Sequence, residues 1–192
     1  MIPTREQAYE LLCRYNKSEA LVRHGLCVEG AMRHFAGLYP GEDSEKWGIV
    51  GLLHDLDYEL YPNEHCVKTQ ELLRTEGIDE EIVRACASHG WGICCDIEPI
   101  SPMEKTLFTI DELTGLIYAA ALMRPSKSIL DMELKSVKKK YKTKSFAAGV
   151  DRELVEKGAD MLGMALDDVI SHTLEGMREI AGTIGLDGSQ AV

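Results

Sequence analysis

An adjacent histidine and aspartate, His54 and Asp55, stand at the end of the apolar run Gly51-Leu52-Leu53. Neither an imidazole nor a carboxylate is stable in an apolar setting unless another group compensates it, and a metal ion can compensate both. Because such dipeptides also occur by chance on surfaces, the pair alone is a weak signal. Four further residues of metal-binding types accompany it, and these are His24, His65, His89 and Asp111.

The first of these histidines falls on a helix with a clear apolar face. Ser18 is its predicted cap, and the helix runs to about Tyr39. The inward-facing positions of this helix are Leu21, His24, Val28, Ala31 and Phe35. A single histidine on such a face is more often a core residue bonded to a carbonyl than a ligand, so the role of His24 depends on its neighbours. His34 falls off the face and is predicted to be solvated.

The His-Asp pair ends the next predicted helix, which follows the turn Pro40-Gly41-Glu42-Asp43. The inward-facing positions of this helix are Trp47, Val50, Gly51 and His54. Gly48 and Gly51 each cost helix stability of about 1 kcal/mol. Close approach of a neighbouring helix would offset that cost, and it would bring His54 near His24.

Two further histidines are predicted on the next two helices. Asn63 is the predicted cap of a helix from Glu64 to about Glu76, with His65 on its inner face. Asp79 is the predicted cap of a helix over 80–88, whose inner face ends at His89. The loop from Trp91 to Ile100 is expected to lie beside the site that these histidines would form.

Asp111 lies on a helix with a strong start signal. Ser101-Pro102-Met103-Glu104 combines a capping box with proline at the first helical position, and the helix is predicted to run to about Met123. Asp111 shares its inner face with Leu107, Thr114 and Tyr118. A carboxylate on an apolar face requires a cationic partner.

The rest of the sequence predicts helices and no strand. Thr4-Arg5-Glu6-Gln7 is a capping box that starts an N-terminal helix. Three helices are predicted after Pro125, and these run from Ser128 to about Lys140, from about Asp151 to Met161 and from about Asp167 to Ile184. His172 lies off the apolar stripe of the last one, and the residues from Asp187 are expected to fray. The predicted fold class is therefore all-α, in one domain over residues 1–192 with additional C-terminal helices at about 124–186.

Charge limits the partners of this chain. A formal net charge of −11 argues against long nucleic acids and anionic membranes, which attract basic surfaces. Six lysines between Lys135 and Lys144 form a basic cluster that is either a solvated face, a phosphate-attracting rim or a contact for an acidic subunit. No apolar leader follows Met1, and no window reaches the length of a membrane span. A cytoplasmic protein, which could be a homodimer, is expected.

The six cysteines are predicted to be reduced and mostly buried, because no Cys-x-x-Cys spacing is present and four of them fall within helical patterns. Cys94-Cys95 is a vicinal pair in the predicted loop after His89. Such a pair could touch a metal, but it is more often an ordinary part of a loop.

The order His … His-Asp … His … His … Asp resembles the HD superfamily of metal-dependent phosphohydrolases, over residues from about 21 to about 122. The resemblance implies an HD-type helical bundle in which His24, His54, Asp55 and Asp111 bind one metal ion. It also implies that His65 and His89 match the extra histidines of members with two metals, where Asp55 would bridge the ions. The mixed nitrogen and oxygen ligands suit one or two ions of Fe, Mn, Co, Ni or Zn.

The same resemblance implies a reaction: hydrolysis of a phosphate ester or anhydride of a small nucleotide or other phosphorylated metabolite, through metal-activated water. Asp57 and Glu59, just past the His-Asp pair, are candidates to orient the water or to carry its proton, although they could equally be exposed loop carboxylates. Thr114, one turn beyond Asp111, is a candidate to support a ligand by a hydrogen bond.

Two departures leave the substrate open. The signalling members of the superfamily often carry a lysine three residues after the Asp, but this chain reads His54-Asp55-Leu56-Asp57-Tyr58. The Gly-Tyr-Pro motif of cyclic-dinucleotide phosphodiesterases is also missing. The run from Asp111 to Ile117 is similar to a branch of predicted HD hydrolases. Two alternatives remain, which are a di-iron oxygenase of the HD type and a regulatory module that binds metal or nucleotide without turnover.

Overall fold

The computed structural model describes residues 1–189. Their fold is all-α, as predicted, with nine α-helices and no strand among the described residues. The helices are α1 (Arg5–Tyr15), α2 (Glu19–Ala36), α3 (Ser44–Leu53), α4 (Val67–Thr75), α5 (Glu80–Ser88), α6 (Pro102–Leu122), α7 (Leu134–Lys142), α8 (Arg152–Leu162) and α9 (Leu166–Glu179). No helix within residues 1–189 has the length and apolar character that a membrane span requires.

Both predicted capping boxes are present, at the starts of α1 and α6. The Thr4 side chain accepts a hydrogen bond from the Gln7 amide, and the Ser101 side chain accepts one from the Glu104 amide. In each box the third residue of the helix bonds back to the cap, so two free amides of the first turn are satisfied. The start of α6, which carries Asp111, is therefore set by a local hydrogen-bond pattern.

Helix α3 lies against α2 at backbone distance. A Cβ at Gly51 would lie 2.9 Å from the Val28 carbonyl carbon and 2.9 Å from the Glu29 amide nitrogen. Only glycine permits this approach, which confirms the reason expected for its place in the helix. Since Gly51 is one turn before His54, the close crossing brings the end of α3 to the face of α2 that carries His24.

The segment that carries His65 differs from the prediction. Asn63 does not cap a helix at Glu64; residues Pro62–Glu64 form a single 3-10 turn, and α4 begins only at Val67. His65 has φ −54° and ψ 144°, which is not helical, and it lies ahead of α4. The reason is tertiary, because this conformation directs the ring of His65 at the buried carboxylate of Asp57, 2.7 Å away.

The C-terminal third also differs at two places. The helix predicted from Ser128 begins at Leu134, because Ser128 forms an isolated bridge with Asp187 and the Ile129 amide donates to the Leu186 carbonyl at 2.9 Å. The last helix ends at Glu179 rather than Ile184. Of the segment that is expected to fray, Asp187 pairs with Ser128, and residues 190–192 lie outside the described residues.

The C-terminal helices pack on the helices that carry site residues. A Cβ at Gly176 on α9 would lie 2.7 Å from the Ala31 Cα on α2. A Cβ at Gly158 on α8 would lie 2.9 Å from the Thr109 Cα on α6. Because both crossings are at backbone distance, α8 and α9 support the positions of α2 and α6.

Candidate metal centre

Six side chains predicted as ligands converge from five places in the fold. His24 lies on α2 and Asp111 on α6; His54 and Asp55 follow α3 directly; His65 precedes α4, and His89 caps the C-terminus of α5. The His54 side chain is fully buried, and the other five expose between 5% and 23% of theirs. Each residue therefore reaches a shared, largely desolvated centre.

One half of the centre is formed by His24, His54 and Asp111. The Nε2 atoms of His24 and His54 lie 3.2 Å apart. Oδ1 of Asp111 lies 2.9 Å from His24 Nε2 and 3.3 Å from His54 Nε2. These three residues form a group that could hold a metal ion.

The other half is formed by His65 and His89, whose Nε2 atoms lie 3.0 Å apart. The sulfur of Cys66, the residue after His65, lies 3.9 Å from His89 Nε2. His65, Cys66 and His89 form a further group that could hold a metal ion. Cys66 was not among the predicted ligands, although its place beside His65 was a usable signal.

Asp55 stands between the two halves and faces both. Its Oδ2 lies 3.5 Å from His24 Nε2 and 3.4 Å from His54 Nε2. Its Oδ1 lies 3.5 Å from His65 Nε2 and 3.4 Å from His89 Nε2. One carboxylate thus offers one oxygen to each histidine pair, which is the arrangement that a bridging ligand requires.

Three of the histidine rings are oriented by hydrogen bonds at their outer nitrogens. Nδ1 of His54 donates to the Gly51 carbonyl at 2.8 Å, and Nδ1 of His89 donates to the Cys86 carbonyl at 2.5 Å. Nδ1 of His65 donates to Oδ1 of Asp57 at 2.7 Å. With the proton held at Nδ1, each ring presents the lone pair of Nε2 to the centre.

The donor set and its spacing fit a metal ion. Two nitrogen ligands, each about 2.1 Å from one ion, lie about 3.0–3.4 Å apart at angles between about 90° and 110°. The separations of the two Nε2 pairs, 3.2 Å and 3.0 Å, fall in this range. A metal cation or a proton between His65 Nε2 and His89 Nε2 would keep the two lone pairs from repelling each other.

The electrostatics of the centre favour positive charge. Burial opposes a charged imidazole at His54, but Asp55 and Asp111 outweigh it and raise the pKa of His54 well above its ordinary value. Burial likewise opposes charge on Asp55, but His54 and His89 prevail and hold the pKa of Asp55 well below its ordinary value. The pKa of Asp111 is lowered by His54 and His24 against the same burial. Without a metal, protons on the histidines supply the positive charge.

The three residues that were predicted to assist the ligands make hydrogen bonds of different kinds. Asp57 is fully buried, and its Oδ2 accepts from the Thr69 amide at 2.8 Å while its Oδ1 holds His65. Glu59 accepts hydrogen bonds from the amides of Lys17 and Ser18 at the start of α2. Thr114 donates to the Asp111 carbonyl at 2.7 Å. Asp57 is neither an exposed loop carboxylate nor turned to the cavity; it orients His65.

A cavity of about 370 Å³ is lined by five of the six residues, all except the fully buried His54. Its lining includes Tyr58, Phe108, Glu112 and Gly115, but no lysine or arginine lines it within the part of the chain described. Burial, followed by the charge of Asp111, raises the pKa of Glu112 to about 7. Sequence analysis missed Glu112, because its helical position lies away from the apolar face of α6.

The remaining sequence predictions concern residues outside the cavity. His34 is not simply solvated: its Nδ1 lies 2.7 Å from Glu179, and its Nε2 lies 3.2 Å from Nδ1 of His172. In the basic cluster, Lys135 pairs with Glu133 and Lys138 pairs with Asp167. None of the six lysines lines the cavity over the metal centre.

The loop cysteines lie beside the centre, as their position in the sequence suggested. All six cysteines are unpaired, and three of them are buried, which are Cys27, Cys66 and Cys86. Cys94 lines the cavity, while Cys95 donates to the Ala87 carbonyl at 3.0 Å. The nearby thiol of Cys66 lowers the pKa of Cys95 to about 6.

Comparisons with known proteins identify no relative of this chain. No protein-family model matches the chain, and neither the curated proteins nor the solved structures contain a significant match.

Proposed function

We propose that this protein is a metal-dependent phosphohydrolase of the HD type, which acts on a small anionic phosphorylated compound. The observation that carries the proposal is the position of Asp55, whose two oxygens face two separate pairs of histidine Nε2 atoms. This is the arrangement that the resemblance to two-metal members of the superfamily implies. Fe, Mn, Co, Ni and Zn suit the ligand set.

The residues divide into two ligand groups in this proposal. His24, His54 and Asp111 would hold one ion, His65 and His89 the other, and Asp55 both. A divalent ion supplies an activated water at neutral pH and offsets negative charge on phosphoryl oxygens. The second effect matters here because no lysine or arginine lines the cavity in the described part of the chain.

The chain's own residues contribute orientation and exclusion of water. Asp57 and the carbonyls of Gly51 and Cys86 keep three rings in the tautomer that presents Nε2. Leu21 and Phe108 border the cavity on its apolar side. A cavity of this size suits a compact metabolite or a single nucleotide rather than a polymer.

A di-iron oxygenase is the second candidate, because His65 and His89 belong to a further group that could hold a metal ion. The two functions differ in whether the reaction requires O₂. An oxygenase consumes O₂ and releases no phosphate from a panel of phosphate esters and anhydrides, whereas a phosphohydrolase releases phosphate without O₂.

The test is metal analysis of protein purified without chelator, combined with a phosphate-release panel of nucleotides and small phosphate esters. We expect bound transition metal and phosphate release, both lost in His54→Ala and Asp55→Ala. His34→Ala and His172→Ala are the matched controls, since these histidines contact each other away from the cavity. Normal metal content in His54→Ala would contradict the proposal.

The second ion has a separate test. His65→Ala and His89→Ala should each lower the metal stoichiometry while the first ion remains. Unchanged stoichiometry in both variants would exclude the second position without affecting the first.

A further inference from the structure

Two cysteine sulfurs meet beside the His65–His89 pair. The Sγ atoms of Cys66 and Cys94 lie 3.3 Å apart, although the residues are 28 positions apart in the sequence. Cys66 is fully buried, and Cys94 is partly exposed in the wall of the cavity. One thiol of the pair is therefore shielded, while the other can be reached from solvent.

The backbone holds this contact in place. A Cβ at Gly90 would lie 2.5 Å from both sulfur atoms, so only glycine leaves room for them to meet. The Gly90 carbonyl accepts hydrogen bonds from the amides of Cys94 and Cys95 at 2.9 Å and 3.1 Å, which closes the loop around it. Cys66 itself has φ +65°, a conformation that costs a non-glycine residue about 1–3 kcal/mol.

The strained backbone conformation of Cys66 is not explained by helix capping. Cys66 occupies the N-cap position of α4, but its side chain makes no capping hydrogen bond. The strained backbone instead aims the thiol at Cys94. A residue held in a costly conformation suggests that the placement of its side chain has a use.

The neighbouring thiol of Cys95 also lies near Cys66, but its hydrogen bond goes to the backbone and not to the Cys66 sulfur. Its Sγ donates to the Ala87 carbonyl on α5, and it does not line the cavity. Cys94 is thus the loop thiol that faces both the solvent-accessible cavity and Cys66.

We propose that Cys66 and Cys94 are a peroxide-oxidisable dithiol, which forms a reversible disulfide at the edge of the metal centre. The sulfur of Cys94 attacks hydrogen peroxide, the O–O bond breaks, and the products are a Cys94 sulfenic acid and water. The sulfur of Cys66 then attacks the Cys94 sulfur, loses its proton and displaces the oxygen as a second water. The two thiols lose two electrons and two protons, and one peroxide is reduced to two waters. The sulfurs must approach by about 1.3 Å to reach disulfide bond length.

The test is peptide mapping of the full-length protein after mild peroxide treatment, as purified and again after metal removal. Free thiols are then alkylated, and the protein is digested without reductant by trypsin and chymotrypsin. The double digest leaves Cys66 in a peptide within residues 47–68, and cleavage after Trp91 separates Cys86 from Cys94 and Cys95. We expect a loss of two hydrogens in intact mass, one cross-link between these peptides, and full reversal by dithiothreitol.

Serine variants identify the partner of Cys66. Cys95→Ser and Cys13→Ser should keep the cross-link, while Cys94→Ser should lower it to background. Because Cys66 is buried and strained, the more exposed Cys94 is the residue to replace first. A cross-link that survives in Cys94→Ser and disappears in Cys95→Ser would overturn the proposal. So would wild-type protein whose Cys66 and Cys94 stay unlinked while other thiols oxidise.

Discussion

The chemistry of the centre depends on groups that do not face the cavity. The ring of His65 is fixed by the hydrogen bond that its Nδ1–H donates to Asp57. Asp57 is itself held by a hydrogen bond from the Thr69 amide. Carboxylate partners of this kind fix the tautomer of a histidine and raise its basicity as a ligand. Asp57 is therefore a positioning residue, and its contribution passes through His65.

The Asp57→Asn substitution isolates this contribution. An amide at this position is a weaker acceptor, so we expect the affinity for the second metal ion to fall by about 10- to 100-fold while the first ion is retained. Isothermal titration of metal-free protein measures both affinities. Glu59→Gln is the matched control, because that nearby carboxylate bonds the start of α2 instead. Equal second-site affinity in Asp57→Asn and wild type would contradict the role assigned to Asp57.

The pKa shifts at the centre predict how the stability of metal-free protein depends on pH. The folded state raises the pKa of His54 and of His89, with Asp55 and Asp111 prevailing over burial. A raised folded-state pKa stabilises the protein fully below the unfolded value, about 6.5 for histidine, and this stabilisation is lost as the pH rises through the folded-state pKa. The free energy of unfolding should therefore fall as the pH rises above about 6.5.

Urea unfolding of chelator-treated, dialysed protein across this pH interval measures the effect. Saturating Zn²⁺ or Mn²⁺ should reverse the slope, because a metal ion replaces the protons and binds more tightly once they have left. A stability that rises with pH in the metal-free protein would show that His54 and His89 are not protonated in the folded state.

At the scale of the elements, two glycines lie within helices for different reasons: one allows a close helix crossing, and the other lies beside open space. Gly51 lets α3 reach the backbone of α2, and this crossing brings His54 to His24. Gly115 lies in the middle of α6, where a Cβ would meet nothing within 4 Å. Packing therefore does not account for Gly115, which instead lines the cavity one turn after Asp111. The open space suggests that this position is kept small for the ligand.

Alanine substitutions at these two positions should change stability in opposite directions. Gly115→Ala should raise the free energy of unfolding by about 0.5–1 kcal/mol, because alanine loses less backbone entropy in a helix. Gly51→Ala should lower it by about 1–3 kcal/mol, because the methyl group would overlap the α2 backbone. Urea unfolding of both variants decides the matter. A destabilised Gly115→Ala would mean that this glycine has a packing role.

At the scale of the whole molecule, the C-terminal helices are packed on the helices of the metal centre. Helix α9 crosses α2 at Gly30 and Gly176, and α8 crosses α6 at Gly158. The sequence assigned no chemistry to this third of the chain. Its position suggests that it completes the bundle around His24 and Asp111, and we propose that the chain folds as one domain.

The Gly176→Ala variant tests this proposal. A Cβ at Gly176 would overlap the backbone of α2, so we expect the melting temperature to fall by about 3–10 °C. In a single domain the entire transition shifts, as seen by both far- and near-ultraviolet circular dichroism. Gly182→Ala is the control, since its nearest neighbour would be 3.9 Å away. Two transitions, of which only one shifts, would contradict the single domain.

Residues close together in the sequence determined much of this molecule in advance. The capping boxes at Thr4 and Ser101 and the helix over 80–88 appear as predicted, because the hydrogen bonds that define them span three or four residues. The inward faces of α2 and α6 follow from helical periodicity, which placed His24 and Asp111 correctly toward the interior. For the same reason, metal-binding residue types on apolar faces predicted that a cluster able to hold metal would form.

Contacts between distant residues decided the rest. The non-helical conformation of His65 follows from its hydrogen bond to Asp57. Helix α7 begins late because Ile129 pairs with Leu186. Gly90 leaves the space in which Cys66 approaches Cys94. In each case a tertiary hydrogen bond or a tight approach outweighed a local helical preference of a few tenths of a kcal/mol, about the size of most propensity differences. Local preferences are too weak to resist such contacts, and no sequence spacing encodes which distant groups will meet.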